Sequence, residues 1–368
     1  MDTPLSPSEP TLALQLEPET VRCDDAPVGY TVINYNTAAL TLRCVVSLSQ
    51  CDEPPAWIVV LDNASAQADF DLLQRSLRSV PNSQILLFRS VINLGFAAGS
   101  NFLIDWLLRF RDCRFVGLLN NDAVARPGLV RGLREALVAG GAMAGMSGGR
   151  MHKVKQPTEV DTLGITLYAS LMPADRKSIN DPYLGPTGGC CLMTRAFVED
   201  VKATTGYCFD ERYFCYCEDT DLVLRANLLG YRPVYVDELV ALHEGQASSR
   251  GQYNTFVAYH GLRNAMWMHW KLIPTSLLVR SAPWLLLAHL LTIARQVLSG
   301  RLMLLYVVYR DALKCLPVIL AERARLRPVF RVRGAALRNV VSGRFYRQGY
   351  AAVVLAEWKA RWFGHRKP

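Results

Sequence analysis

Hydrophobic and polar residues alternate between two periods along the first 140 positions. Residues 28–34 form a compact β-rich run, and residues 37–48 carry apolar side chains at helical spacing. The pairing repeats, with 57–61 reading as a strand and 69–80 as a helix, then 84–89 as a strand and 96–110 as a helix. Residues 115–119 predict a fourth strand, and 127–139 a helix opened by Pro127. Strand and helix in steady succession predict a parallel sheet with helices on its faces. Ligands in such sheets gather beyond the carboxyl ends of the strands. Residues 34–36, 62–65, 90–93 and 120–122 occupy those ends, and each stretch carries polar side chains.

The pattern is less regular further on. Residues 148–186 are rich in Gly and Pro and predict hairpins and loops. Residues 188–194 read as a small-residue strand, 196–203 as a short helix and 219–229 as a helix ended by Gly230. Two last strands are expected at 233–236 and 239–242. At the other end, Pro4, Pro7, Pro10, Pro18 and Pro27 punctuate residues 1–27, which read as a mobile arm.

Past residue 274 the character changes again. The apolar run 281–294 is bounded by Arg280 and Arg295. It is shorter than the roughly 20 residues that a straight bilayer-crossing helix needs. A second apolar run, 302–308, is followed by Arg310, Lys314, Arg323, Arg325 and Arg327. With Trp267, Trp270, Trp284 and Tyr306 nearby, these helices suit a membrane interface. The plainer alternative is a helical pack against the preceding domain with a solvated basic face. Three parts follow: an arm over 1–27, an α/β domain over 28–273 and a helical basic extension over 274–368.

Charge sharpens that division. Residues 321–368 carry 12 Lys+Arg against 2 Asp+Glu, and 274–320 carry 5 against 1. Residues 1–273 hold 24 against 29, so the net charge of +9 belongs to the C-terminal quarter. A mildly acidic main domain argues against a nucleic-acid groove across it, and no nucleic-acid partner is expected. A basic tail is suited to anionic headgroups. Apolar residues make up 51% and charged residues 20%, which excludes a disordered chain. Ten cysteines without a repeating spacing are too sparse for a disulfide scaffold, and no apolar leader opens the chain. A reducing cytoplasm fits these features.

Several stretches could carry chemistry. Asp62-Asn63-Ala64-Ser65 follows a buried strand, where a carboxylate meets either a nucleobase imide and ribose hydroxyl or only its own turn. In the run from Asn93 to Asn101, Asn93 can cap a helix and the small residues allow close approach to its N-terminus. Neither a Walker loop nor a dinucleotide fingerprint is formed there. Asn120-Asn121-Asp122 ends the fourth strand with the oxygen donors that Mg²⁺ or Mn²⁺ prefers. Gly188 and Gly189 open a strand without bulk, suited to the floor of a sugar site or to a tight core. Asp210, Glu211, Glu218, Asp219 and Asp221 crowd a helix entrance. Acids favour that position anyway, yet a carboxylate among carboxylates can be raised into the range of a general base. His243 stands at the end of the last predicted strand, and Cys190, Cys191, Cys208, Cys215 and Cys217 read as core thiols rather than zinc ligands.

In their order, these stretches resemble a family 2 glycosyltransferase of the GT-A fold, with a rhamnosyltransferase-like flavour. The matching pieces are Asn34-Tyr35-Asn36, Asp62 to Ser65, Asn93 to Asn101, Asn120 to Asp122, Gly189 to Arg195 and Phe209 to Arg225, within residues 28–264. The resemblance implies a nucleotide-sugar donor, with Asn34 and Asp62 facing its nucleoside. It adds Asn93, Asn101, Asn121, Gly189, Glu218, Asp221 and Arg263 as substrate-binding residues, Arg263 pairing with Asn264. Asp122 and His243 would hold a divalent metal, Mg²⁺ or Mn²⁺, against the diphosphate. Asp219 would be the general base of an inverting transfer. The metal motif departs from many relatives in having a single carboxylate, and Cys190-Cys191 replaces a single cysteine.

Composition and resemblance together predict an enzyme on the inner face of the cell membrane. Its donor would be UDP- or dTDP-linked and its acceptor a glycan or lipid-linked glycan of cell-surface polysaccharide assembly. Oligomeric state is not legible. A nucleotidyltransferase is the rival enzyme, but residues 34–40 offer no basic glycine-rich loop for a triphosphate. A non-catalytic membrane-surface protein of the same fold is the rival from another class, and a dinucleotide-dependent dehydrogenase lacks its fingerprint.

Overall fold

A computed structural model describes residues 13–16, 27–80, 84–245, 255–332 and 336–347. The first half alternates as its periodicity predicts. After an edge strand β1 (Ala13–Leu16) come β2 (Val28–Asn34), α1 (Ala38–Ser49), β3 (Trp57–Asn63), α2 (Gln67–Leu77), β4 (Ile85–Ser90), α3 (Gly95–Leu107) and β5 (Phe115–Leu119). A short β6 (Ala123–Ala125) and α4 (Leu129–Gly140) follow. Within residues 1–27, β1 is paired antiparallel with β4, and residues 1–12 and 17–26 of the expected arm lie outside the described residues.

The strand alternation is visible in the packing. Along β3, Trp57, Val59 and Leu61 enter the core under α3, whereas Ile58 and Val60 enter the core under α1 and α2. Trp57 stacks on Phe110 with ring centroids 4.7 Å apart. Burying each such large side chain contributes about 1.5–3 kcal/mol, so a sheet covered on both faces is strongly specified.

The remaining elements are β7 (Met146–Lys153), β8 (Val160–Thr162), β9 (Ile165–Leu167), β10 (Pro173–Asp175), β11 (Cys190–Thr194), α5 (Arg195–Thr205), α6 (Glu218–Leu228) and β12 (Val234–His243). The ten-stranded sheet runs β1-β4-β3-β2-β5-β11-β7-β12-β6, with β8 beside β7. Pairs β4-β3, β3-β2, β2-β5 and β7-β12 are parallel, and the others are antiparallel. The expected parallel sheet therefore describes the first half, and the whole is mixed. Two expectations change within the second half. Residues 148–153, within the stretch expected to hold hairpins and loops, belong to the central β7, whose apolar signal is diluted by Ser147, Gly148 and Gly149. The two last strands are one, β12, interrupted by register shifts between Val236 and Leu239 and between Leu239 and Ala241.

Four helices complete the described chain: α7 (Thr255–Leu272), α8 (Thr275–Leu298), α9 (Leu302–Lys314) and α10 (Leu316–Leu326). Both sequence readings of this region have a physical counterpart. Arg323 donates to the carbonyls of Trp270 and Ile273, Arg325 to that of Thr205, and Arg331 pairs with Asp200. These arginines tie α10 and the segment after it to the α/β domain. By contrast, α8 and α9 expose Trp284, Leu286, Leu290, Leu302, Met303 and Tyr306. The helix around the 281–294 run extends past both flanking arginines and, by length and composition, could cross a membrane. Residues 348–368 of the basic tail lie outside the described residues.

Candidate active site

Strand order reverses between β2 and β5, and the loops beyond their carboxyl ends form the site. Asn34 ends β2 with no exposed surface. Its amide donates to Asp62 Oδ1 at 2.9 Å, Ser65 Oγ at 3.1 Å and Asp69 Oδ2 at 3.0 Å. Its carbonyl accepts from Thr41 at 2.7 Å. Asn121 donates to Thr37 at 2.6 Å and to Thr41 at 2.9 Å. Asp62 is also enclosed, accepting from the Ser65 backbone at 3.3 Å with Arg89 3.5 Å away. Asn34, Asp62 and Asn121 thus belong to one lattice joining three strand ends, in which the amides of both asparagines and the Asp62 carboxylate bond protein groups. A buried polar group stays only where it is bonded: Asn34 bonds Asp62 directly, and Asn121 joins them through the Thr41 hydroxyl. Asp69, which also caps α1 through the Ala38 backbone at 3.0 Å, belongs to the lattice and went unnoticed in the sequence.

The glycine-rich segment is similarly occupied. Gly95 has φ +72°, and a Cβ there would lie 2.5 Å from the Phe214 carbonyl oxygen. That oxygen accepts from the backbones of Phe96 at 2.7 Å and Ala97 at 3.1 Å. What approaches the helix N-terminus is therefore the acidic loop of the same chain. Asn93 accepts from Asn63 at 3.0 Å and from the Gly95 backbone at 2.8 Å, fixing the turn. Asn101 clasps Phe209 by two backbone bonds, 2.8 Å to its carbonyl and 2.9 Å from its amide. Asn101 thus holds the acidic loop, donating also to Glu211 at 2.9 Å.

Metal-type donors meet at the other side of β5. Asp122 Oδ1 lies 3.0 Å from His243 Nε2, and His243 Nδ1 lies 2.7 Å from Asp161 Oδ2. Burial by itself would lower the imidazole, but hydrogen bonds to Asp122 and Asp161 outweigh it and raise His243 to about 10. A carboxylate facing one imidazole nitrogen and a second carboxylate behind the other fits a divalent cation with an oriented histidine. Among the described residues no group of three or more His, Cys, Asp or Glu forms a metal-holding cluster. Two protein ligands suit a cation completed by diphosphate oxygens. Asp161, on β8, is the partner that sequence spacing did not suggest.

Two glycines join this side to the acids. A Cβ on Gly189 would lie 3.0 Å from the Asn120 amide, and one on Gly188 would lie 3.3 Å from Asp219 Cβ. Asp219 accepts from the Gly188 backbone at 3.0 Å and the Thr220 backbone at 2.6 Å. Burial pushes its carboxyl up against the pull of those bonds. Beside it, Glu218 is buried and its Oε2 accepts no hydrogen bond. Burial, then the Asp219 charge, pushes Glu218 well above the usual carboxylate range. Asp221 points the opposite way. It pairs with Arg225 Nε at 2.7 Å, with Lys271, and with the Tyr213 hydroxyl at 3.1 Å, and has no exposed surface.

The loop that delivers the acids is strained, with Phe214, Tyr216 and Cys217 at φ 64°, 67° and 67°. Each such residue costs of order 1–3 kcal/mol unless its surroundings impose it. Asn264 imposes it here, donating to the carbonyls of Tyr213 at 2.9 Å, Cys215 at 2.9 Å and Tyr216 at 2.7 Å. Arg263 is buried over Trp267 and donates to Asn264 at 2.9 Å and the Tyr259 hydroxyl at 3.0 Å. Asp221 and Arg263, expected at the substrate, are therefore supports of the loop.

Comparison with known proteins places the fold in a family. Residues 26–264 match the family model described as glycosyltransferase like family 2. The N-acetylglucosaminyl-diphospho-decaprenol L-rhamnosyltransferase of Mycobacterium tuberculosis is 25% identical over 266 residues, covering 62% of this chain and 80% of its own. Rhamnosyltransferase WbbL of Escherichia coli is 40% identical over 52 residues, 14% of this chain and 20% of its own. Among solved structures, mannosyltransferase PcManGT from Pyrobaculum calidifontis superposes with TM-score 0.50 at 17% identity, covering 88% of this chain and 90% of its own. GalNAc-T7 superposes with TM-score 0.51 at 11% identity, covering 71% of this chain and 50% of its own. These likenesses show the GT-A architecture. With a family match across more than half its length, the chain belongs to the family 2 glycosyltransferases and is a glycosyltransferase.

Proposed function

We propose that the protein moves a sugar, with inversion, from a UDP- or dTDP-linked donor to a hydroxyl of a lipid-linked glycan at the cytoplasmic membrane surface. The observation that carries this reading is Asp219, oriented by Gly188 and Thr220, raised by burial, and joined through Gly188 and Gly189 to Asn120 at the Asp122–His243 edge. In the transfer, Asp219 takes the proton of the acceptor hydroxyl as its oxygen bonds the anomeric carbon. The bond from that carbon to the nucleoside diphosphate breaks on the opposite face. The sugar passes through an oxocarbenium-like state, as in glycoside hydrolysis. Asp122 and His243 would hold a divalent cation, which when bound neutralises charge on the leaving diphosphate. The Asn34–Asp62–Asp69 lattice holds the strand ends over which the nucleoside rests. Support for a nucleotide-sugar donor and a divalent metal comes from fold neighbours, PcManGT with GDP-Man and Mn²⁺ and GalNAc-T7 with UDP, GalNAc and Mn²⁺.

The acceptor reading rests on the C-terminal helices and on the decaprenol-linked substrate named for the M. tuberculosis relative. Leu277, Ser281, Ala288 and Gln296 line one buried side of α8, while Leu286, Leu290 and Leu291 face outward. A helix packed along one side and apolar on the other suits lying at an interface. Melting curves with UDP, dTDP and GDP, each with and without Mn²⁺, test the donor site. A ligand at 100 times its dissociation constant adds about 2.7 kcal/mol, readily seen as a shift. A shift that needs both one nucleotide and the cation is expected. Its absence with every pair would overturn the donor reading. Sedimentation with anionic vesicles tests the membrane reading, and Leu290→Glu with Leu291→Glu should abolish co-sedimentation.

A further inference from the structure

The strand that carries Asp161 is irregular at that residue. Met151 and His152, consecutive on β7, stand opposite Thr162 and Val160 of β8, so Asp161 is an extra residue between two ladder pairs. A bulge of this kind bends its strand and re-aims a side chain, and such bulges gather beside active sites. Here the re-aimed side chain has a definite target, because Asp161 Oδ2 lies 2.7 Å from His243 Nδ1. On its other edge β7 pairs with β12, where Leu242 is opposite His152 and His243 opposite Lys153. Asp161 therefore reaches His243 across an intervening strand.

The carboxylate is held from behind. Its Oδ1 stands 4.0 Å from Lys177 Nζ, and the same ammonium bonds the Asp161 carbonyl. Lys177 follows β10, so the hairpin of β9 and β10 secures both the backbone and the side chain of the bulge. The side chains of Asp161 and His243 are only 20% and 16% exposed, which limits competition from water for the bond between them.

An imidazole that gives its Nδ1 hydrogen to Asp161 presents Nε2 as its remaining nitrogen. Nε2 lies 3.0 Å from Asp122 Oδ1 and 3.5 Å from the Asn120 amide. We propose that Asp161 is a positioning residue: through the bulge it fixes the His243 ring so that Nε2 and the Asp122 carboxylate face one divalent cation. This rests on the metal reading above and adds the residue that sets the ring's orientation. A carboxylate behind a ligating histidine fixes its tautomer and angle, and losing such a partner typically costs roughly 10- to 100-fold in metal affinity.

Calorimetric titration of the full chain with Mn²⁺, alone and with saturating UDP, dTDP or GDP, tests the assignment. Asp161→Ala should weaken Mn²⁺ binding by roughly 10- to 100-fold, while nucleotide affinity without metal stays within about twofold. On a His243→Ala background the same substitution should add nothing, because a residue acting through that ring has no further effect once the ring is gone. Unchanged Mn²⁺ affinity in Asp161→Ala would overturn the proposal. So would a full additional loss on the His243→Ala background, or an equal loss of metal-free nucleotide affinity. If Asp161→Ala melts early, Asp161→Asn decides, since Asn keeps an acceptor for Nδ1 without the charge. A smaller loss of Mn²⁺ affinity is then expected, and no loss overturns the assignment. Failure of the metal reading looks different, because then the unsubstituted protein binds no Mn²⁺ with any nucleotide, or His243→Ala leaves binding unchanged, and both readings fall.

Discussion

Asp221 and Asp210 lie on one flank of the α6 entrance, and Glu218 and Asp219 on the other. All four belong to a single acidic stretch, yet their surroundings are opposite. Asp221 and Asp210 have lost nearly all contact with water and meet Lys271, Arg225 and Arg212. Burial alone would raise Asp210, but Lys271 and Arg212 hold it well below the usual carboxylate range. Glu218 and Asp219 meet no cation among the described residues, and both are raised. A buried acid with a matched cation is a structural element, whereas an acid raised by burial and left without one is suited to moving a proton.

Removing the base tests the contrast most severely. Asp219→Asn should lower transfer by about 10²–10⁴-fold while nucleotide binding and melting temperature stay near their original values. Normal turnover in that variant would transfer the role to another group. On the compensated flank, Lys271→Met strands two buried carboxylates and should cost about 3–5 kcal/mol in urea unfolding. A loss below 1 kcal/mol would mean that Arg225 and Arg212 suffice. Between the flanks, Asn264→Ala releases the carbonyls of Tyr213, Cys215 and Tyr216. It should cost about 1–3 kcal/mol and reduce kcat more than nucleotide affinity, since the strained loop carries the base.

The smallest effect is a pH dependence. Because the folded-state pKa of Glu218 lies above its unfolded value, the folded protein binds the extra proton, and stability falls as pH rises from the ordinary carboxylate range towards the raised value. Glu218→Gln removes that slope. Melting temperatures of the two proteins should converge near pH 4 and separate towards pH 8, with the Gln variant higher. The opposite order would show Glu218 ionised and stabilised in the fold. Turnover should likewise fall on acidification at a pH above that of an ordinary aspartate, because Asp219 must be unprotonated to act.

Much of the architecture was legible because the first half folds by local pattern. Each predicted strand and helix between residues 28 and 140 recurs, shifted by a few residues at its ends. The β7 strand was hidden because Ser147, Gly148 and Gly149 gain their burial from β11 and β12, distant in sequence. In the site, Gly188 stands against Asp219 and Gly189 against Asn120, while Asp122 meets His243. The asparagines were harder to read. Asn34, Asn101 and Asn121 have polar side chains suited equally to a ligand or to a backbone, and only their neighbours distinguish the two.

Periodicity, the family motifs and the charge asymmetry were set by residue order alone, because each depends on spacing within a short window. Which acid meets a cation depends on α7, whose Lys271 comes 50 residues after Asp221, and on the Tyr207 and Cys208 carbonyls that hold Arg225. Whether α8 and α10 share one role was likewise a tertiary matter. Arg323 and Arg325 find carbonyl partners on the α/β domain and α7, while Leu286, Leu290 and Leu291 on the outer face of α8 stay exposed. Local spacing determines which elements form. The partners that desolvate, neutralise or leave a charged group exposed are supplied by chain segments far away in sequence, and they decide what each residue does.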